Sequence, residues 1–407
     1  MVKSTIGIPS KSERILLLDF WRGVFLLMIY INHVPDNLLS KLTLRNWGFA
    51  DSAEPFVFIS GFSAMLAFGR YFEFGGFGAG MLRTLKRTWQ LFCAHVLLVF
   101  ALSAIIAVAG EFTDSKPIME QLNFSPFFVE TDVAIVKLLK LGYMPNLTDI
   151  LPLYIVLVLL FPVAWALISL SPVLALGISF LLWLWVNATG QFFANYPEGV
   201  TWFFNPMAWQ FLFVAGMVAC KKREKLDALV KSKLLFRLSL FIVASSVIAV
   251  APWTHFEPFT TWRLIPAELL AIDNKMNLSW VRVVHFFALA VIAARLFPLQ
   301  SPLWQSRPIK AVSLCGRHSL AVYCTGAGLS LVMHFLLQIG GNASTWGNVL
   351  LVLSGVFVLI IFASLLQRAT SILTGVGTNV RSAKSRSLRS KVPQEDFASL
   401  HVHEAGS

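Results

Sequence analysis

Charge is scarce in this chain. Only 13% of its 407 residues are Asp, Glu, Lys or Arg, while 57% are hydrophobic; a soluble globular domain carries about 25% charged residues. The mean hydropathy is +0.70, and runs of about 18 or more apolar residues recur along nearly the whole length. A large soluble domain is thereby excluded. Cysteine is scarce too. Cys93, Cys220, Cys315 and Cys324 all lie within or at the ends of apolar segments, without zinc spacing, so neither a disulfide nor a metal site is expected. Acidic residues are outnumbered 21 to 33 by Lys and Arg, leaving a net charge of +12. Gly-x-Ser-x-Gly, Walker, His-Glu-x-x-His and Rossmann signatures are missing, so any chemistry must use isolated His, Arg and carboxylate groups.

What is present is a series of membrane spans. About ten are read, at 14–35, 52–72, 88–110, 147–168, 172–190, 206–220, 234–252, 281–297, 311–338 and 346–366. The expected fold is all-α, a polytopic integral membrane helical bundle. Placed this way, the basic clusters Arg70–Arg87, Lys221–Arg237 and Arg381–Lys391 fall on one side, as the positive-inside rule requires. The chain is read as N-in and C-in. The positive charge then sets topology and favours the lipid bilayer, and no nucleic-acid partner is expected. Residues 1–13 form a cytoplasmic N-terminus, 14–372 the membrane domain and 373–407 a basic, disordered tail. The first span is no cleavable signal peptide, because Asp19 and Arg22 interrupt it and no small-x-small site follows. External segments 36–51, 111–146 and 253–280 exceed simple connectors, and the latter two have the composition of short interfacial helices. No internal repeat stands out, and nothing in the sequence fixes the oligomeric state.

The first span carries two costly side chains. A central Arg in a membrane helix costs roughly 2.5–3.5 kcal/mol even on a lenient scale, yet Arg22 and His33 share one helix. Their spacing makes about three turns, which puts both on nearly the same stripe, about 16 Å apart along the axis. Asp19 is placed to pair with Arg22, and Arg22 alone would also fit a snorkelling role. Neither accounts for His33 at the far end, beside Asn32. The second span opens D-S-A-E-P-F-V-F-I-S-G-F. Glu54 is placed at the depth of His33, able to orient an imidazole, while Asp51, Ser52 and Glu54 equally fit a helix cap. Ser60 and Gly61 form a small pair that admits another helix or an elongated ligand. Arg83, Lys86 and Arg87 suit topology or phosphate binding, and Arg317 suits snorkelling or the donor entrance. Asp149, Tyr154, Asn205, Trp209 and Gln210 enter from the outer face, a layout for a hydroxyl-bearing acceptor or for an aromatic belt. His285 and His334 are read as mostly structural, and His95 is a single polar group in an apolar helix; His401 and His403 are too sparse for a metal.

These blocks resemble a known family. L-D-F-W-R-G-V-F-L-L-M-I-Y-I-N-H is similar to the first-helix motif of the membrane-bound acyltransferase-3 superfamily, with Arg and His separated by ten residues. E-P-F-V-F-I-S-G-F is similar to its second-helix motif. N-L-T-D-I-L-P-L-Y, W-F-F-N-P-M-A-W-Q-F-L-F and L-C-G-R-H-S-L-A-V-Y-C resemble blocks of the OpgC family, over about residues 14 to 370. The resemblance implies succinylation of osmoregulated periplasmic glucans from succinyl-CoA by a multi-pass protein of a bacterial inner membrane, with no permanently bound cofactor. Carried over to this chain, His33 would be the base and Arg22 its essential partner; Glu54 is counted with them as a catalytic group because of its depth near His33. The superfamily has an Arg-x-Arg feature before the third helix; here Arg83, Lys86 and Arg87 stand instead. Rival readings are a transporter or flippase for a small anion or lipid-linked sugar, a non-catalytic partner in a glycan complex, and acetyl transfer to an exopolysaccharide.

Overall fold

The structure, a computed structural model, describes residues 11–298, 301–340 and 344–389. It is built from helices; among the described residues the only β-type pairing is an isolated bridge between Ala194 and Thr201. In chain order the long helices are α1 (Lys11–His33), α2 (Ala53–Phe74), α3 (Gly76–Ala109), α4 (Ile150–Leu170), α5 (Pro172–Thr189), α6 (Pro206–Lys221), α7 (Lys233–Val250), α8 (Trp280–Leu296), α9 (Arg307–Arg317), α10 (Ser319–Ile339) and α11 (Thr345–Arg389). Eight of these (α1–α5, α7, α10 and α11) are long and apolar enough to cross a membrane. α6 and α8 are shorter, with 16 and 17 residues. This is a multi-pass membrane protein. Side chains such as Leu97, Val163, Phe241 and Phe357 are exposed on its flanks, where lipid matches them.

Local chemistry sets the ends of these helices. Ser171 and Asn205 cap α5 and α6, accepting from Leu174 N and Met207 N, each followed by a proline that needs no amide partner. Gly190 ends α5 in the left-handed region, at φ 66°, where a side chain would be strained.

Three sequence expectations change. The third helix begins at Gly76 rather than 88 and runs 34 residues, about 51 Å, well beyond a hydrocarbon core of about 30 Å. Hydropathy misses its first turns because they carry Arg83, Lys86 and Arg87, which are nevertheless good helix formers. The ninth span divides: α9 ends at Arg317 and α10 begins at Ser319, so the span itself starts at Ser319. The last helix continues to Arg389, into the stretch assigned to a disordered tail. His401 and His403 lie outside the described residues. The 111–146 segment does fold into short helices, at Lys116–Gln121, Ser125–Val129 and Thr131–Leu139. The 253–280 segment carries only 3-10 turns.

Two glycine contacts draw helices close together. A Cβ added at Gly61 would lie 2.0 Å from Phe213 O, and one at Gly216 the same distance from Phe58 O. α2 and α6 therefore meet backbone to backbone. Gly23 and Gly316 do the same for α1 and α9, with a Cβ at Gly316 only 1.7 Å from Asp19 O. The small residue beside Ser60 thus admits a helix rather than a ligand. The α1–α9 contact ties the helix carrying Arg22 to the break before α10.

Candidate functional site

Arg22 and His33 open onto different cavities. Arg22 sits at the end where the basic loops gather, and there Lys221 pairs with Glu73 at 3.2 Å. It lines a cavity of about 420 Å³ together with Ser60, Arg83, Lys86, Arg87 and Tyr154. None of the residues lining this cavity is a carboxylate, so four cations face one space. Arg22 also borders a wider cavity of about 970 Å³ that reaches Asp19, Arg70, Lys221 and Arg223. Its ion pair with Asp19 is long, 4.0 Å, and its Nε is buried with no hydrogen-bond partner among the described residues. A guanidinium left this underused is prepared for an anion.

His33, at the end of α1, lines a third cavity of about 390 Å³ with Asn32, Arg45, Asp51, Asp149, Phe203, Phe204, Asp273, Lys275 and Arg282. Its backbone carbonyl accepts a hydrogen bond from His334 Nε2 at 2.8 Å, which fixes the end of α1. Its ring makes no hydrogen bond among the described residues and stays available. Asn32 does not orient that ring; its Oδ1 accepts from Thr43 Oγ1 at 2.6 Å.

Glu54 is not the partner of His33. It is fully buried; its Oε1 accepts from Arg282 Nε at 2.6 Å and its Oε2 from Asp51 N at 2.8 Å. Arg282 also donates to both oxygens of Asp273, at 3.0 and 3.1 Å, and lies 3.6 Å from Asp51. Lys275 pairs with Asp51 in turn, whose Oδ1 accepts from Ala53 N and so caps α2. Three carboxylates and two cations form one network; of its carboxylates Asp51 and Asp273 line the cavity with His33, and Glu54 does not. Burial alone would raise the Asp51 pKa, but Lys275 and Arg282 outweigh it and hold the carboxyl well below its usual range. Sequence reading missed Lys275, Asp273 and Arg282. The available signal was an Arg inside an apolar run, which requires a buried acid to match it.

The residues expected to bind an acceptor divide. Asp149 does line the His33 cavity. Tyr154 lies on the Arg22 side instead, donating to Ser60 Oγ at 2.9 Å and to Phe56 O at 3.1 Å. Asn205, Trp209 and Gln210 face neither cavity. Asn205 donates to Asn277 Oδ1 and Gln191 O, and Trp209 Nε1 donates to Lys275 O at 3.1 Å. These two hold the segment that carries Lys275. Gln210 joins α6 to α5 through Ser179. Of the residues expected to bind a donor, Arg83, Lys86, Arg87 and Ser60 line the Arg22 cavity. Arg317 does not; it is exposed, 3.7 Å from Asp19 and 3.3 Å from Gln367.

The cavities of Arg22 and His33 are adjacent. Ile150 and Tyr323 line both, and Tyr323 is held there by donating its hydroxyl to Leu147 O at 2.6 Å. A polyanion held at one end and a hydroxyl compound at the other would approach each other across one aromatic ring.

Two kinds of known protein offer no comparison: no curated protein and no solved structure matches the chain. A family model described as OpgC protein matches residues 14–371, from the start of the Arg22–His33 stripe to the last span.

Proposed function

The chain belongs to the OpgC family, and from that premise we propose that it is a membrane-bound O-acyltransferase of the bacterial inner membrane. It moves a succinyl or other short acyl group from a cytoplasmic coenzyme A thioester to hydroxyls of periplasmic glucans. Family and helical membrane architecture both fit a membrane acyltransferase. The observation that carries the finer reading is the paired cavities, one cationic and one holding an unbonded imidazole, with Ile150 and Tyr323 as their common wall.

In this reading the basic end faces the cytoplasm. Arg22, Arg83, Lys86 and Arg87 receive the coenzyme's phosphates, and its slender arm extends past Ser60 and Tyr154 towards Tyr323. A glucan lies in the opposite cavity, its hydroxyls near Asp149 and its ring faces against Phe203 and Phe204. His33 takes the proton from the attacking hydroxyl, a task that suits an imidazole near neutral pH. The oxygen adds to the thioester carbonyl, the carbon–sulfur bond breaks, and the departing sulfur takes up the proton. Products are an ester on the glucan and free coenzyme A.

Replacing His33 with Ala tests this in purified protein reconstituted in bilayers, with labelled succinyl-CoA and glucan. Loss of a general base should slow transfer by about 100- to 10,000-fold, with folding and insertion intact. Transfer at the parent rate would refute the assignment.

A further inference from the structure

Most ionised side chains lining the His33 cavity already have a partner. Lys275 is matched by Asp51, and Arg282 by Glu54 and Asp273. Asp149 and Arg45 form no ion pair among the described residues. Asp149, at the foot of α4, suits the neutral hydroxyls of a sugar. Arg45 is exposed and lines the cavity as a cation with no protein acid paired to it among the described residues. It sits on the 3-10 turn Leu44–Asn46 and lines both the His33 cavity and a neighbouring one of about 530 Å³. A guanidinium offers five donors in a planar fork and favours a planar oxyanion.

The proposed reaction narrows the source of that anion. The glucan's hydroxyls are neutral, and the donor's phosphates are held by the Arg22 cluster, about 16 Å away along α1. The remaining component is the acyl group. It enters tip first from the Arg22 side, so its far end passes the reacting carbonyl and lies in the cavity that Arg45 lines. A methyl group there would give a guanidinium nothing to bind, whereas a terminal carboxylate would pair with it.

We infer that Arg45 is the residue that selects the acyl group, by binding the terminal carboxylate of a dicarboxylic monoacyl donor. This rests on the acyl-transfer reading above. Succinyl-CoA and butyryl-CoA make the test, because their acyl groups have the same chain length and differ in the terminal carboxylate. Parent protein and the Arg45→Gln and Arg45→Lys variants are compared in reconstituted bilayers with glucan as acceptor. In Arg45→Gln, kcat/KM for succinyl-CoA should fall about 10- to 100-fold through loss of a charge-assisted contact. The butyryl-CoA value should stay within about twofold, which also reports that the variant is folded. Arg45→Lys should keep part of the preference. An unchanged succinyl-to-butyryl ratio in Arg45→Gln overturns the inference while leaving acyl transfer standing. So does a parent enzyme that shows no preference. If the parent consumes neither thioester, the transfer reading fails and the role of Arg45 fails with it.

Discussion

Replacing Arg282 with Met removes the cation on which three carboxylates converge. Arg282 and Asp51 are 5% and 8% exposed and Glu54 is fully buried, so water cannot replace what is lost. Breaking a buried pair by deleting one partner costs about 3–5 kcal/mol, because a charge is left uncompensated. Lys275 stays on Asp51 and limits the damage to the Glu54 side, which places the expected loss near about 3 kcal/mol. Glu54→Leu alone frees Arg282 to its two other acids but leaves the Asp51 N–H without an acceptor, at about 1–3 kcal/mol. The double variant, Glu54→Leu with Arg282→Met, exchanges the pair for apolar groups, a change that is often nearly neutral. Its remaining costs, the orphaned Asp51 amide and the donor lost by Asp273, are each already present in one of the single variants. It should therefore be at least about 2 kcal/mol more stable than the two single losses added together. Denaturation of detergent-solubilised protein measures all four corners of this cycle. Strict additivity would refute the network. The same variants separate structure from catalysis. Glu54→Gln can still accept from Arg282 but sets its amide against the Asp51 N–H, so its activity should fall only as its folded fraction falls. A folded, inactive Glu54→Gln would restore Glu54 to the catalytic group.

Two further outcomes are expected. Tyr323→Ala should open the wall between the cavities, so that thioester is hydrolysed without glucan, whereas Tyr323→Phe keeps the ring and loses only the bond to Leu147 O. Thioester consumption that still requires acceptor in Tyr323→Ala would count against the partition. Stability should also depend on acid through Asp51. Its folded carboxyl lies below the ordinary value of 3.8, so its contribution is complete above that value and fades as pH falls below about 4. Melting temperatures of parent and Asp51→Asn should converge as the pH is lowered from 7 towards 3, and a constant gap would contradict the ion pairs.

The sequence by itself determined the class of fold and the axis of the site. A segment in lipid must satisfy its own backbone, so each long apolar run becomes a helix wherever it packs. Helical periodicity then places Arg22 and His33 on one stripe without any knowledge of neighbours. The cationic end was legible for the same reason, since Arg83, Lys86 and Arg87 precede a span. The partners of these groups were not legible. Glu54 and Asp51 differ by three positions, and sequence spacing puts Glu54 beside His33 and Asp51 only in the helix cap. Which one faces the cavity depends on how α2 is rotated, and the close approaches of Gly61 to Phe213 and of Gly216 to Phe58 set that rotation against α6. It depends equally on Lys275 and Arg282, which approach from more than 200 residues away. Tyr154 turned to the donor side, and Asn205 and Trp209 became supports for Lys275, by the same logic. Helix formation is local, whereas the direction in which a helix presents its polar face is decided by packing against helices distant in sequence. Only the tertiary structure could therefore bring two cavities to either side of Tyr323.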